Sequence, residues 1–234
     1  MSMKDTSALS DIGAVVTAME QLLAELPEGD GIGCFTRMYL QVTTGVRDAA
    51  TTHAFRDVDF LTRLDVVFAG LFFDAVHAEL AGQQPPHAWQ PLFEARARHD
   101  VAPLQFALAG MNAHINRDLP VALVTVAGEV GLRLRDDSPE HDDFLEVNRL
   151  LSAAERAVKP ALLHGPLAVA DGVMHGLDDR VAMWDVARAR DAAWVQAQTL
   201  QHVADVPLLR DRLLDVLDRT VGFASRGLLQ PLVL

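Results

Sequence analysis

The segment Asp57–Leu80 constrains the fold most, because it is apolar around most of its circumference when its residues are placed at helical spacing. Two adjacent stripes carry its large apolar side chains, Phe60, Leu64, Val67 and Leu71 on one and Leu61, Phe68 and Phe72 on the other. A helix that is apolar over so wide an arc must be covered on several sides. We therefore expect this segment to be a central helix that other helices surround.

The rest of the chain also shows helical periodicity, interrupted by turns rich in Pro and Gly. The further predicted helices are Leu9–Leu26, Ile32–Asp48, Trp89–Arg98, Leu104–Asn116, Val121–Leu134, Glu140–Leu163, Asp178–Val203 and Val206–Leu228. Val121–Leu134 is valine-rich and also fits a strand, but its length and surroundings favour a helix. Connections are expected at Thr51–His53, Gly165–Pro166 and Gly172–Gly176. The pattern predicts an all-α fold, a single-domain irregular helical bundle of about eight to ten helices over residues 1–234.

Composition excludes several classes of protein. The net charge of −12 leaves no basic face for a phosphate backbone, so nucleic-acid binding is not expected. There is no uncharged apolar stretch long enough to span a membrane, and the first residues lack the apolar core of a signal peptide. Cys34 is the single cysteine, which fits a reducing compartment. We expect a cytoplasmic protein.

Three acidic or basic residues lie where helical geometry places apolar ones. Asp65 has Leu61, Phe68 and Phe72 one turn away, so its carboxylate should point into the core. It is either a buried partner of an arginine or helix end, or a catalytic carboxylate or metal ligand. His114 and Asp118 lie at i and i+4 on one stripe, which suits a structural pair or an oriented general base. Pro120 should break or kink the helix near Asp118.

Asparagines add amide groups near these residues. Asn112 and Asn116 flank His114, so this helix end either lines a polar site or is an ordinary helix C-terminus. Asn148 lies between Phe144 and Leu151 on one helical stripe and should also point inward. The three amides are candidates for binding a substrate.

Arg188 and His141 complete the candidate residues. Arg188 and Asp191, between two tryptophans, are interpreted either as an ion pair that fixes helices or, for Arg188, as a group that holds a substrate carboxylate. In an alternative hypothesis, His141 binds a divalent metal such as zinc together with His114 and Asp118. The leading expectation is that no cofactor is needed. Phosphate-binding loops, dinucleotide fingerprints, nucleophile elbows and zinc-helix motifs are missing from the sequence.

The string Gly110-Met-Asn112-Ala-His114-Ile-Asn116-Arg-Asp118-Leu-Pro120 resembles the signature of a bacterial, mainly actinobacterial family catalogued as domain of unknown function 5995. Three further stretches support the resemblance: Phe55–Phe60 with Leu64–Asp65, His141–Phe144 with Val147–Asn148, and Ala189–Trp194. The resemblance covers the chain from about residue 30 to the C-terminus. It implies a helical domain with these His, Asn and Asp positions as its hallmark, and it implies no reaction.

We expect an enzyme of small-molecule, secondary metabolism that performs cofactor-independent acid–base chemistry, of lyase, isomerase or cyclase type. In this hypothesis His114 is the general acid or base, Asp118 or Asp65 orients it, and the asparagines stabilise an oxyanion. The alternatives are a metal-dependent hydrolase and a non-catalytic ligand-binding or interaction domain. The expected partner is a small organic molecule. The apolar tail Leu228–Leu234 fits docking on its own core or in a homodimer.

Overall fold

The computed structural model describes residues 9–50, 55–164 and 185–231, and within these ranges it is helical with no β-strand. The helices are α1 Ile12–Glu25, α2 Gly31–Ala50, α3 Val58–Leu80, α4 Gln90–Ala95, α5 Pro103–Ala113, a π-helical turn His114–Asp118, α6 Leu119–Glu129, α7 Pro139–His164, α8 Val186–His202 and α9 Pro207–Leu228. The predicted all-α bundle is confirmed. The connections predicted at Thr51–His53, Gly165–Pro166 and Gly172–Gly176, and the predicted helix start at Asp178, lie outside the described residues.

The ends of the helices follow local chemistry. Asp11 caps α1 by accepting a hydrogen bond from the Ala14 amide at 2.9 Å. The valine-rich segment that also fitted a strand is α6. It ends at Glu129, and the φ of 66° at Gly131 lets the Leu132 amide bond back to the Ala127 carbonyl at 2.8 Å.

The buried apolar side chains of the described residues form one core cluster. Helix α3 contacts α1, α6, α7 and the π-helical turn, but Asp59, Arg63 and Asp74 leave one side of it exposed. In α5, by contrast, every residue from Leu104 to Ala113 is buried, so α5 is the more enclosed helix. Helices α2 and α5 approach each other closely because Gly110 has no side chain: a Cβ there would lie 2.4 Å from the ring of Phe35. The first residues of the apolar C-terminal tail pack on the core of the protein itself. Leu229 is buried there, and the Gln105 side-chain amide donates to the Leu228 and Gln230 carbonyls.

The π-helical turn His114–Asp118 joins α5 to α6 without a break. The Leu119 amide bonds to the carbonyl of His114, five residues earlier, so one extra residue is accommodated in the turn. Pro120 then falls in the first turn of α6, where a missing amide hydrogen costs little. The predicted break near Asp118 is therefore a widened turn, a feature that is frequent at functional sites. Among the described residues, no helix is both long and apolar enough to cross a bilayer.

Candidate functional site

The centre of the candidate site is the pair His114 and Asp118 in the π-helical turn. Both side chains are buried, and His114 Nδ1 lies 3.1 Å from Asp118 Oδ2. The carboxylate also accepts hydrogen bonds from Trp89 Nε1 at 3.0 Å and from Arg117 Nη1 at 2.8 Å. Because Asp118 is an acceptor, Nδ1 carries the proton and Nε2 presents its lone pair. The carboxylate thus fixes the tautomer and orientation of the imidazole.

Aromatic rings enclose the imidazole of His114. Phe68 stacks on it with ring centroids 3.6 Å apart and planes 7° apart, and the Tyr39 ring centroid lies at 4.7 Å. Burial lowers the pKa of His114 below 6.5, and the Asp118 carboxylate offsets only part of this effect. The ring is consequently neutral at pH 7. Its Nε2 atom is buried and has no hydrogen-bond partner.

Asp65 of α3 carries a second unpartnered atom, because Oδ2 is buried without a hydrogen bond. Burial raises the pKa of this carboxyl group to about 6, while the positive charge of Arg190 acts in the opposite direction. The residue as a whole is half-buried, and its Oδ2 atom is shielded from solvent. Asp65 lies one helical turn from Phe68, which stacks on His114.

Tyr39 of α2 supplies a third atom of this kind. Its hydroxyl is buried with no partner. Burial raises the pKa of Tyr39 well above 10, and the negative charges of Asp65 and Asp118 raise it further. The phenol is therefore a neutral hydrogen-bond donor. Buried polar atoms in native proteins are nearly always satisfied by protein or water, so three unsatisfied atoms from three elements point to a site that receives a ligand or ordered water.

Arg190 of α8 brings a positive charge to the same region. It is 7% exposed, and its Nε donates to Asn148 Oδ1 at 2.6 Å. Burial lowers the pKa of Arg190 to about 10, while Asp65 and Tyr39 raise it, so the guanidinium is charged at pH 7. The charge of Arg190 in turn acts on the pKa of both Asp65 and His114. The four groups share one electrostatic environment.

Two of the predicted substrate-binding residues lie elsewhere or at the edge of this site. Arg188 is on the surface, with 88% of its side chain exposed and Asp185 at 3.5 Å, so the expected buried pair with Asp191 is wrong. Residues 186, 190, 193, 194 and 197 form the buried stripe of α8, and Arg188 is off that stripe. Asn148 is buried as expected, but it is hydrogen-bonded to Arg190 and Asp191 and serves to position the arginine.

The asparagines beside His114 belong to a different contact. Asn112 donates to the Val221 carbonyl and to Ser225 Oγ, both at 3.0 Å, and so joins α5 to α9. Asn116 donates to Asn112 Oδ1 at 2.9 Å. Asn112 therefore holds the last helix and Asn116 holds Asn112, so the hydrogen bonds of these two amides do not support the expectation that they line the site with His114.

The predicted metal ligands are not gathered into a metal site. His141 is at the start of α7, where Nδ1 contacts the Asp136 carbonyl at 2.9 Å and the ring packs on Trp194. Within the described ranges, no group of three or more His, Cys, Asp or Glu side chains has an arrangement that would hold a metal ion. Asp118 is also already occupied by three donors. The geometry gives no support to ligation by His114, Asp118 and His141.

Comparison with known proteins places the chain in a family. The family of unknown function (DUF5995) matches residues 12–231 of the 234 residues. The chain belongs to this family. No curated protein and no solved structure matches it.

The stretches that carry the DUF5995 resemblance meet in the structure. Asp143, near the start of α7, accepts hydrogen bonds from the backbone amides of Arg56 at 2.8 Å and Asp57 at 2.7 Å, which fixes the beginning of α3. The stretch Ala189–Trp194 contains Arg190, and Gly110–Pro120 contains His114 and Asp118. These segments of a DUF5995 chain thus both build the bundle and bring its charged groups together.

Three residues of the site, Arg190, Tyr39 and Trp89, are absent from the predicted set, although the sequence pattern around the first two indicates their position. Arg190 interrupts the apolar stripe of α8, as Asp65 interrupts that of α3. Tyr39, the single tyrosine of the chain, places a hydroxyl on the buried face of α2. No local pattern identifies Trp89, because its partner Asp118 is 29 positions away in the sequence.

Proposed function

We propose that the protein is an enzyme of small-molecule metabolism that performs cofactor-independent acid–base chemistry on an organic substrate held between α2, α3, α8 and the π-helical turn. Five buried side-chain atoms of the described residues have no hydrogen-bond partner, and the observation that carries the proposal is that three of them, Tyr39 Oη, Asp65 Oδ2 and His114 Nε2, belong to this group of residues. Leaving such groups unsatisfied costs about 1–3 kcal/mol each, a cost that a bound substrate would offset.

His114 is the general base in this proposal. Its neutral ring can accept a proton at Nε2, and the resulting imidazolium is stabilised by the hydrogen bond from Nδ1 to Asp118 at 3.1 Å. Trp89 and Arg117 hold the carboxylate in place. Asp118 therefore acts through His114 as a positioning residue and does not itself contact the substrate.

Asp65 and Tyr39 supply the complementary groups. With a pKa of about 6, Asp65 is present in both protonation states near neutral pH and can return a proton to the substrate. The neutral Tyr39 hydroxyl can donate a hydrogen bond to oxygen charge that develops in the transition state. Proton removal at one atom and return at another accounts for an isomerisation, an elimination or a cyclisation. The secondary-metabolic role, the cytoplasmic location and the homodimer stay predictions.

The test is to incubate the purified protein with a bacterial metabolite extract and follow the metabolites by mass spectrometry. We expect at least one metabolite to be converted by the wild type, and the rate to fall by about 100-fold or more in His114→Gln. The matched control is His99→Gln, because His99 is exposed. Circular dichroism verifies that both variants are folded.

Two outcomes would contradict the proposal. If folded His114→Gln converts the metabolite at the wild-type rate, His114 is not the base. If metabolites bind and raise the melting temperature but none is converted, the protein is a non-catalytic binding protein.

A further inference from the structure

Arg190 is a buried arginine whose charge has no carboxylate in contact. Its one hydrogen bond to a described residue runs from Nε to Asn148, which leaves Nη1 and Nη2 without partners in the described part of the chain. The other arginines with little exposed surface differ: Arg96 pairs with Asp30 at 2.6 Å and Arg117 with Asp118 at 2.8 Å. Asp65 and Asp191 attract the guanidinium from a distance, but no carboxylate of the described residues bonds to it, so the two Nη groups are open to a ligand anion.

The guanidinium is held rigidly by its neighbours. The Arg190 Cζ atom lies 4.4 Å from the centroid of the Phe144 ring, an attractive cation–π contact. Asn148 donates from Nδ2 to Asp191 at 2.7 Å, which turns its carbonyl oxygen towards Arg190 Nε. The free Nη edge is therefore fixed in one orientation before any ligand arrives.

We infer that Arg190 binds a carboxylate of the substrate, so that the substrates are small organic acids whose transferable proton faces His114 and Asp65. This inference rests on the proposed function and adds the substrate class to it. Two parallel N–H groups on a planar guanidinium match the two oxygens of a carboxylate. The substrate-binding arginine is thus Arg190 and not the exposed Arg188.

The charges around Arg190 favour a carboxylate over other ligands. A ligand amine is positively charged at neutral pH, so the Arg190 guanidinium would repel it. A phosphate dianion at Arg190 would be repelled by the Asp65 carboxylate, which is close enough to influence the pKa of Arg190. A monoanion neutralises Arg190 with the smallest repulsion from Asp65.

Binding should be coupled to proton uptake by Asp65. The titratable groups that act on Asp65, or on the arginine beside it, are Tyr39 from α2 and Arg190 and Asp191 from α8, and Asp118 of the π-helical turn acts on Tyr39. Of these, Arg190 supplies the positive charge that favours the ionised carboxyl group. A bound carboxylate cancels this effect, so Asp65 takes up a proton. Affinity then rises as the pH falls from 8 to 6, by up to about tenfold per pH unit.

The experiment is affinity selection with mass spectrometry on the full chain. The library holds equal numbers of carboxylic acids, their primary amides, amines and phosphate monoesters, with matched pairs such as phenylacetate and phenylacetamide. We expect the wild type to retain carboxylic acids, and Arg190→Gln to bind the same acids about 30-fold or more weakly. Arg188→Gln, an exposed arginine on the same helix, is the matched control and should bind as the wild type does.

A second variant and a second readout cover the case in which Arg190→Gln does not fold. Arg190→Lys keeps the charge but lacks the planar fork, so acid binding should weaken by about tenfold. Calorimetry of the wild type in buffers of different ionisation enthalpy should show proton uptake on binding, and Asp65→Asn should abolish that uptake.

The outcomes separate the two proposals. Retention of amides, amines or phosphate esters in preference to acids, or unchanged acid binding by folded Arg190→Gln, overturns the carboxylate assignment and leaves the acid–base proposal intact. If the wild type retains no ligand and converts no metabolite, both proposals are overturned.

Discussion

Replacing Asp65 by Asn should make the protein more stable at neutral pH. Asp65 Oδ2 is buried without a hydrogen bond, and burial raises the pKa of the carboxyl group to about 6. The ionised carboxylate is therefore unfavourable in the folded protein. Asn has nearly the same shape and carries no charge, so the substitution removes the penalty without opening a cavity.

The magnitude follows from the shift in pKa. The pKa of Asp65 is 3.8 in the unfolded chain and about 6 in the folded protein. At a pH between these two values, the Asp65 carboxyl group is ionised in the unfolded chain and still protonated in the folded protein. Wild-type stability therefore falls as the pH rises through this window and levels off above it. At 1.36 kcal/mol per pKa unit, the full penalty is about 3 kcal/mol at pH 7 and about half of that at pH 5.

The assay is chemical denaturation of wild type and Asp65→Asn at pH 5, 6, 7 and 8. The variant should be more stable by about 3 kcal/mol at pH 7 and 8, with a smaller difference at pH 5. Asp74→Asn, an exposed aspartate on the same helix, should change stability by less than about 0.5 kcal/mol. An Asp65→Asn variant that is less stable than wild type at pH 7, or a difference that does not change with pH, would refute the reasoning.

Three further predictions concern the surroundings of His114. Asp118→Ala should lower the free energy of unfolding by roughly 3–5 kcal/mol, because three donors lose a buried acceptor; a loss below about 1 kcal/mol in urea denaturation contradicts this. Nitrogen NMR at pH 7 should show His114 neutral and protonated at Nδ1, with a titration midpoint below 6.5, and a charged ring at pH 7 would be the contrary result. Gly110→Ala should destabilise by about 1–3 kcal/mol because its Cβ would lie 2.4 Å from Phe35. Gly128→Ala, with no atom in the way, is the control in thermal unfolding and should lose nothing.

Local spacing was enough to predict some parts of the site. His114 and Asp118 are four residues apart, and such a pair meets whether the turn is α-helical or slightly wider, as it is here. Asp65 lies among Leu61, Phe68 and Phe72, so its inward direction follows from helical periodicity alone. The same rule applied to α8 identifies Arg190 on the stripe that contains Val186 and Trp194.

Other parts depend on which helices become neighbours. Asn112 looks like a site residue in sequence because it is two positions from His114, yet two positions in a helix are about 200° apart, and its face meets α9. His141 is a residue type that commonly binds metals, but its ring packs on Trp194, and the described residues contain no group that would hold a metal ion. No spacing rule predicts these contacts.

The sequence by itself determined the all-α class, the apolar face of Asp57–Leu80 and the pairing of His114 with Asp118, because each depends on interactions within one or two helical turns. The tertiary structure alone decided that Tyr39, Asp65, His114 and Arg190 share one buried environment, and that Trp89 holds Asp118. These residues come from separate helices, and their distances are set by how the helices pack. Periodicity gives the direction in which a side chain leaves its own helix, and packing gives what that side chain meets.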